Sequence, residues 1–314
     1  MAERKEQKQV KGRFAPSPSG RMHLGNLFSA LLAWLSVRSQ GGTMLLRMED
    51  LDPDRCREEY AAQAARDLEW LGLDWDEGYG VGGPNGPYRQ SERFDLYTAY
   101  AEKLELYPCY CTRAERLAAS APHLGENPDV YNGRCLRRSP EELAELAQTR
   151  RPAWRVGVPE QTVAFVDGLQ GPYEESLARD CGDFILRRSD GVWAYQLAVT
   201  VDDGLMGVTE VVRGGDLLSS TPRQIWLMET MGFAPPTYTH VPLLLAPDGR
   251  RLSKRDRDMD LEFLQKTKTP EQIVGELAFL AGILPKSQPA TPKELISEFS
   301  WQKVKKENLF VTNG

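Results

Sequence analysis

The sequence contains no long hydrophobic run. None of its apolar stretches approaches the roughly 20 residues that a helix needs to cross a lipid bilayer. Residues 1–11 are rich in charge and contain no apolar core of the kind found in secretory signals. These two absences argue against a helical membrane protein and predict a cytoplasmic protein with a disordered N-terminal tail.

Cysteine is also scarce, and the net charge is negative. The 314 residues include 5 cysteines, an odd number that argues against a disulfide framework. The net charge of −6 argues against indiscriminate binding of nucleic acid but permits a local basic face. Such a face is predicted where arginines cluster, with a solvated charged surface as the alternative. The clustered residues are Arg137, Arg138, Arg150 and Arg151, and later Arg250, Arg251, Arg255 and Arg257.

The hydrophobic residues, 41% of the chain, are arranged as alternating strands and helices. Residues 43–48 have the pattern of an apolar strand, residues 56–71 that of a helix, and Ser91 is placed to cap the helix after it. This alternation predicts a parallel sheet. It stops at residue 109 and resumes near residue 160, with residues 241–245 as a late strand.

Residues 13–26 are the stretch around which the rest is organised. Pro16 and Pro18 stiffen a loop, and helical spacing of apolar residues begins after His23. Exposed backbone N–H groups and the positive end of the helix dipole suit a phosphate or carboxylate there, and Gly25 permits close approach of a ligand. The alternative is an ordinary rigid turn between a strand and a helix.

A second informative stretch, residues 249–256, holds Lys254 among arginines in a loop that begins with glycine. A mobile lysine can approach a polyphosphate and neutralise the charge that develops when pyrophosphate leaves. The alternative interpretation is a solvated basic turn.

Five motifs together resemble the class I aminoacyl-tRNA synthetases, and more narrowly their glutamyl branch. They are residues 13–18 (RFAPSP), 23–26 (HLGN), 48–52 (MEDLD), 212–214 (VRG) and 252–255 (LSKR). The resemblance runs from about residue 12 to residue 254. The chain leaves little room for the anticodon-binding region of a full glutamyl-tRNA synthetase and carries Val199 where full synthetases usually have asparagine. It is therefore most similar to the glutamyl-Q tRNA(Asp) synthetases.

Both the residues and this resemblance predict an α/β fold, a Rossmann-like doubly wound parallel sheet. The expected parts are the first half of a catalytic domain (12–108), a zinc-binding insertion (109–159), the second half of the catalytic domain (160–264) and a small C-terminal helical appendage (265–314). Capping boxes followed by proline predict two helices in the appendage, beginning after Thr269 and Thr291.

The resemblance implies the roles of the site residues. Arginine forks suit the two carboxylates of L-glutamate, and its pocket would comprise Arg13, Ala15, Ser17, Glu49, Tyr195 and Arg213. ATP would be bound by His23, Gly25, Asn26, Leu252, Ser253 and Lys254, of which His23, Asn26 and Lys254 are the catalytic residues. Mg²⁺ would accompany ATP. We interpret Asp202 and Asp203 as structural or ribose-contacting residues.

A zinc site is predicted in the insertion, because Cys109, Cys111, Tyr131 and Cys135 resemble the zinc pattern of this family. Three thiolates and one oxygen suit a closed tetrahedral site. Three unligated cysteines are the alternative, and His123 is a rival fourth ligand.

The implied function is activation of L-glutamate by ATP, without a need for tRNA in that step, and transfer to the queuosine base of tRNA(Asp). We expect a monomer that has no contact with membranes. Two alternatives remain open at this point: a truncated glutamyl-tRNA synthetase that charges a tRNA 3′ end, and a non-catalytic module that binds zinc and RNA.

Overall fold

The structure is a computed structural model that describes residues 9–111, 130–131, 133–250 and 261–311. Within these ranges, none of the helices combines the length and the apolar character that crossing a membrane demands.

Strands and helices alternate through most of the described chain. The strands are β1 (Lys11–Phe14), β2 (Thr43–Leu46), β3 (Glu77–Gly78), β4 (Leu106–Cys109), β5 (Ala153–Val156), β6 (Thr162–Asp167), β7 (Gly171–Ser176), β8 (Phe184–Arg187), β9 (Glu210–Gly214), β10 (Thr237–Val241), β11 (Leu244–Leu245) and β12 (Leu309–Phe310). The α-helices are α1 (Leu24–Ser39), α2 (Glu58–Trp70), α3 (Phe94–Ala101), α4 (Pro140–Thr149), α5 (Tyr195–Leu205), α6 (Thr221–Thr230), α7 (Leu261–Leu264), α8 (Pro270–Ala281) and α9 (Pro292–Leu295).

Parallel strands form the centre of the molecule. The order β1–β2–β3 is parallel throughout, and β9 pairs with β10 in parallel. The amide of Lys11, at the start of β1, donates to the side-chain hydroxyl of Thr209, and the amide of Thr209, just before β9, donates to the carbonyl of Lys11, which places β9 beside β1. These pairings confirm the α/β class and bring the carboxyl ends of β1, β2 and β9 to one edge, where such sheets bind ligands.

Helix α1 begins where the sequence predicts. His23 is its N-cap residue, and the following residues at helical spacing are almost completely buried. Leu27, Phe28 and Leu31 belong to the largest apolar cluster, which also includes residues of β2. Burial of this helix therefore fixes the position of the loop that precedes it.

An antiparallel sheet follows the first half of the parallel one. Strand β5 pairs with β4 on one side and β8 on the other, and β6 and β7 form a hairpin. The sheet therefore crosses residue 159, since β8 comes from the segment that we assigned to the second half of the catalytic domain. The domain boundaries stay predictions.

The C-terminal helices begin as predicted. The side chains of Thr269 and Thr291 accept hydrogen bonds from the third residue of α8 and α9, respectively, and each helix starts with proline. Ile273 and Leu277 of α8 lie in the same apolar cluster as α1, and β12 pairs in parallel with β11. The described C-terminal residues thus pack into the main core, more closely than an appendage would.

Two local expectations are wrong. Ser91 does not cap α3, because it lies in a 3₁₀ turn and its hydroxyl donates to Asp50 at 2.8 Å. The predicted strand 241–245 is divided between β10 and β11. Pro242 follows β10 and has no N–H with which to continue a ladder.

Candidate active site and cysteine cluster

The proline-rich loop lies against the acidic turn. The carbonyl of Phe14 accepts a hydrogen bond from the amide of Arg47 at 2.9 Å, and that of Pro16 accepts one from Glu49 at 2.9 Å. The carbonyl of Pro18 accepts one from Arg57 at 3.0 Å. A proline has no backbone N–H to donate, but its carbonyl can still accept a hydrogen bond. The loop after β1 therefore stays hydrogen-bonded to the segment that follows β2.

His23 and Asn26 together cap the N-terminus of α1. The ring Nδ1 of His23 accepts a hydrogen bond from the amide of Gly25 at 3.1 Å, and Asn26 Oδ1 accepts one from the amide of His23 at 3.1 Å. No acidic residue lies in the first turn of the helix. The predicted phosphate ligands therefore sit together at the positive end of a 16-residue helix. Their contact with ATP stays a prediction.

The predicted ATP ligands Leu252, Ser253 and Lys254 lie outside the described residues. Among the residues that follow, the amide of Leu261 donates to the carbonyl of Met22 at 3.4 Å. Glu262 forms an ion pair with Arg21 at 3.1 Å. Residues 261 and 262, which follow the LSKR motif in the sequence, therefore contact the loop that carries His23.

Four predicted glutamate ligands meet at the sheet edge. Arg13 lies near the end of β1 and donates to the carbonyl of Val212 at 3.4 Å, while Arg213 of β9 donates to the hydroxyl of Tyr195 at 3.5 Å. Burial raises the pKa of Tyr195, while the charges of Arg213 and Arg13 lower it and that of Glu49 raises it further. The two arginines, the carboxylate and the phenol thus belong to one electrostatic unit.

The remaining predicted residues of the pocket lie on the loop after β1. Ala15 is partly buried and Ser17 is exposed. Both flank Pro16, whose carbonyl accepts the hydrogen bond from Glu49. The loop thus brings the backbone around Pro16 to the edge where Arg13 and Glu49 lie, and contacts of Ala15 and Ser17 with glutamate stay predictions.

Sequence reasoning missed Arg47, which lies beneath this unit with a fully buried side chain. Its guanidinium donates to Asp203 at 2.7 Å and to Glu49 at 3.1 Å. Burial acts to lower the pKa of Arg47, but the charges of Asp203, Asp202 and Glu49 raise it above its ordinary value. The signal that could have identified it is a charged residue within the otherwise apolar run 43–48.

Asp203 connects the two cations. Its second oxygen lies 3.5 Å from the Nε of Arg13, and that Nε is buried without a hydrogen-bond partner among the described residues. Burial acts to raise the pKa of Asp203, and the charges of Arg47 and Arg13 outweigh it, so the pKa lies below its ordinary value. Asp203 therefore holds Arg13 in place as an ionised carboxylate.

Asp202 has a structural role, in agreement with its interpretation from the sequence. It is completely buried and accepts hydrogen bonds from Arg93 at 2.6 Å, Gln90 at 2.8 Å and Tyr97 at 2.9 Å. These contacts join α5 to the segment 90–97.

Glu49 is the one carboxylate of this unit whose pKa is raised. Burial raises it, and the charges of Arg47 and Arg13 oppose that effect. An arriving ammonium group favours the ionised form of a carboxyl, so binding of an amino group here strengthens the charge that receives it.

The cysteine cluster has the dimensions of a tetrahedral metal site. The sulfurs of Cys109, Cys111 and Cys135 lie within 4.8 Å of one another, and Cys111 and Cys135 are 3.7 Å apart. The hydroxyl of Tyr131 lies 3.7 Å from Cys109 and 3.5 Å from Cys111. Zinc–sulfur bonds of about 2.3 Å at tetrahedral angles place sulfurs about 3.8 Å apart. The four predicted ligands fit zinc, whereas His123 lies outside the described residues.

Arg155 contacts this cluster from below. Its Nε donates to the sulfur of Cys109 at 3.2 Å, and its guanidinium lies over the ring of Tyr131 at 3.7 Å. The side chain is buried, and it also donates to the carbonyl of Asp183 at 2.6 Å. This arrangement places a buried positive charge against the sulfur cluster.

Comparison with known proteins identifies the family. The catalytic domain of the class I tRNA synthetases for E and Q matches residues 9–313. The chain belongs to this family. Its members are ligases, so the resemblance predicted from the motifs is confirmed.

Similar proteins within the family are of two kinds, glutamyl-Q tRNA(Asp) synthetases and glutamate–tRNA ligases. The chain is 50% identical over 304 residues to a glutamyl-Q tRNA(Asp) synthetase from Symbiobacterium thermophilum, which covers 94% of both chains. It is 51% identical over 298 residues to one from Nitratidesulfovibrio vulgaris, with 93% and 92% covered. A glutamate–tRNA ligase from Sulfurihydrogenibium sp. is 40% identical over 302 residues, which are 94% of this chain and 63% of that one.

The fold of this tRNA synthetase matches a solved relative. The crystal structure of a glutamate tRNA ligase from Elizabethkingia meningosepticum, in complex with its amino acid, superposes with a TM-score of 0.81 at 29% identity. The match covers 97% of this chain and 67% of that chain.

Proposed function

We propose that this protein activates L-glutamate with ATP and transfers the glutamyl group to the queuosine base of tRNA(Asp). The observation that carries the amino-acid part is the unit of Arg13, Glu49, Tyr195 and Arg213, which offers partners for two carboxylates and one ammonium. The acceptor part is supported by relatives named glutamyl-Q tRNA(Asp) synthetase at 50% and 51% identity.

Each charged group of glutamate has a partner in the pocket. Arg13 binds the side-chain carboxylate and Arg213 the other one, because planar guanidinium groups donate in pairs to carboxylates. Glu49 receives the ammonium, and the hydroxyl of Tyr195 donates to a carboxylate. The backbone of Ala15 and the side chain of Ser17 complete the pocket.

Activation is an in-line attack of a glutamate carboxylate oxygen on the α-phosphorus of ATP. The nucleophile is already ionised at neutral pH, so neither a general base nor a protein nucleophile is needed. His23 and Asn26 bind the phosphates beside Gly25, and Lys254, with Leu252 and Ser253, approaches them from the other side. The rate comes from alignment and from stabilising the charge on the transferred phosphorus and on pyrophosphate.

The proposed enzyme uses two metal ions, Mg²⁺ and zinc. Mg²⁺ travels with ATP and is held mainly by phosphates and water. Zinc is held by Cys109, Cys111, Cys135 and Tyr131 as a closed structural site that links residues far apart in the insertion.

The RNA is expected to contact the insertion. Arg137, Arg150 and Arg151 are exposed and flank α4. Arg150 also donates to the carbonyl of Tyr110 at 3.3 Å, next to two of the predicted zinc ligands. Exposed arginines beside a rigid metal site suit the phosphates of a folded RNA.

Transfer of labelled glutamate tests the proposal. Purified protein, ATP and [¹⁴C]glutamate are incubated with tRNA(Asp) carrying queuosine, tRNA(Asp) without queuosine, or tRNA(Glu). We expect label on the first alone. Label on tRNA(Glu) alone would establish a glutamate–tRNA ligase activity instead, which the 40% identical relative of that name makes the second candidate. Pyrophosphate exchange that depends on glutamate in the absence of tRNA distinguishes the proposed activity from a non-catalytic module.

A further inference from the structure

Arg213 begins a series of hydrogen bonds to two buried residues, His240 and Asp167, for which the sequence predicted no role. Its Nε donates to Nε2 of His240 at 3.0 Å, and Nδ1 of His240 lies 2.6 Å from Asp167. All three side chains are buried, with exposed fractions of 5%, 0% and 2% for Arg213, His240 and Asp167. The three residues come from β9, β10 and β6, so the series connects the antiparallel hairpin to the predicted glutamate pocket.

The donors in this series fix the position of one proton. A guanidinium has only donors, so Nε2 of His240 must be the acceptor, and Nδ1 must carry the ring proton. That N–H then donates to Asp167, which also accepts from the backbone amides of Leu169 at 3.0 Å and Gln170 at 2.8 Å. Asp167 is therefore held as an ionised acceptor at the end of the series.

The rest of the Arg213 guanidinium is also held. It donates to Gln224 at 2.7 Å and to the hydroxyl of Thr221 at 2.7 Å, and it lies over the ring of Tyr238 at 5.1 Å. The Thr221 hydroxyl lies 3.2 Å from Nε2 of His240, on the same acceptor edge. Only an unprotonated Nε2 is compatible with both neighbours.

We propose that Asp167 and His240 are positioning residues that orient Arg213 for a carboxylate of glutamate. The proposal rests on the proposed function, in which Arg213 binds one of the two carboxylates. Asp167 fixes the tautomer of His240, and His240 fixes the plane of the guanidinium through Nε. A ring with a proton on Nε2 would present a donor to a donor and would displace the guanidinium from this position.

The surroundings of His240 support this arrangement. The ring stacks on Tyr238, with 6.2 Å between centroids, and meets the edge of Phe165 at 6.5 Å. Burial lowers the pKa of His240 to about 4; the hydrogen bond with Asp167 opposes this effect and the charge of Arg213 adds to it. The ring is therefore neutral at physiological pH, as an acceptor at Nε2 requires.

Steady-state pyrophosphate exchange tests the proposal through KM values. His240→Leu removes the acceptor, and we expect KM for glutamate to rise about 10-fold or more while KM for ATP stays within about 2-fold. His240→Gln keeps an amide oxygen near the position of Nε2 and is expected to recover most of the loss. Gln170→Ala removes a hydrogen bond to the backbone carbonyl of His240 without touching its ring, and serves as the matched control.

Three outcomes would overturn the proposal: an unchanged KM for glutamate in His240→Leu, an equal rise of both KM values, or a Gln variant as impaired as the Leu variant. If His240→Leu fails to fold, Asp167→Asn replaces it. Asparagine can donate to Nδ1 and thereby shift the ring proton to Nε2.

Nitrogen-15 NMR of the imidazole rings gives a second readout, which a merely structural role would not move. The chain has 3 histidines, and His240→Gln assigns the relevant one. We expect the Nδ1–H form in the wild type and a changed tautomer ratio in Asp167→Asn. An Nε2–H form in the wild type would overturn the proposal. If the wild type shows no glutamate-dependent exchange, the proposed function fails, and the NMR measurement still decides the geometry separately.

Discussion

The guanidinium of Arg47 donates to a carboxylate oxygen of Asp203 across 2.7 Å, although 156 residues separate the two in the chain. Neither residue belongs to a motif that identifies the family, yet both side chains lie directly beneath residues that do. Arg47 also donates to Glu49, and Asp203 is paired with Arg13. The pocket is thus supported by an internal ion pair whose loss should affect folding and binding together.

Replacing Arg47 by methionine should destabilise the protein strongly. The substitution keeps most of the volume but removes the buried cation that donates to both Asp203 and Glu49. Breaking a buried pair in this way costs about 3–5 kcal/mol. Urea unfolding at neutral pH measures the free energy of unfolding. Arg179→Met, which removes an exposed ion pair with Asp180, is the control and should leave the midpoint unchanged. A normal midpoint for Arg47→Met would contradict the expectation.

Replacing Arg13 by alanine should weaken glutamate binding selectively. The loss of charged hydrogen bonds to one carboxylate corresponds to a rise in KM for glutamate of about 10- to 100-fold. KM for ATP should be nearly unchanged, because the phosphate ligands lie at the start of α1. Arg13→Lys keeps the charge without the fork and should be intermediate. Equal losses of glutamate and ATP binding would remove Arg13 from its proposed role.

Metal analysis should find one zinc ion per chain. Cys135→Ser should lower the zinc content and the melting temperature, because the closed site links the end of β4 to residues 131 and 135. Cys56→Ala, a cysteine outside the cluster, should retain the metal and is the matched control. Full zinc occupancy in Cys135→Ser would show that the cluster does not hold the ion.

Replacing Arg155 by methionine should make the zinc easier to extract. A site with three thiolates carries net negative charge, and Arg155 donates to one of its sulfurs. Competition with a coloured chelator measures the effect, and we expect about 10-fold weaker retention, as for other residues that support metal ligands. Arg187→Met, which removes an exposed arginine of β8 that lies over Trp193, is the control. Identical chelator curves for Arg155→Met and the wild type would refute the electrostatic contribution.

Stability should fall with acidification partly because of His240. Its pKa is lowered to about 4 in the folded protein from 6.5. The unfolded chain therefore binds the proton more readily, so this contribution to stability is present above pH 6.5 and is lost as the pH falls towards 4. Between pH 7 and pH 5 the wild type should lose about 2 kcal/mol more than His240→Gln. Urea unfolding at the two pH values measures this difference, and equal losses would show that His240 is not buried in its neutral form.

Local features were the ones that the sequence predicted well. The start of α1 follows from a proline-rich loop and a capping residue, and the starts of α8 and α9 follow from capping boxes with proline. Each of these signals lies within a few residues of the structure that it determines, so no knowledge of distant partners is needed.

Contacts between distant segments were not predictable in the same way. The pairing of β8 with β5 depends on which strands meet in space, and the apolar pattern of a strand does not specify its partner. Asp203 was interpreted as a structural or ribose-contacting residue, because its sequence neighbours do not reveal Arg47 or Arg13. His240 lies in β10, just before the predicted strand 241–245, and no motif surrounds it. These residues became informative only once the fold had assembled them.

Strand β12 pairs with β11, and β11 lies a few residues before the LSKR motif. Residues 309 and 310 therefore hold the strand that precedes the segment to which the proposed mechanism assigns Lys254. Removal of β12 would be expected to slow adenylate formation at temperatures at which the protein is still folded.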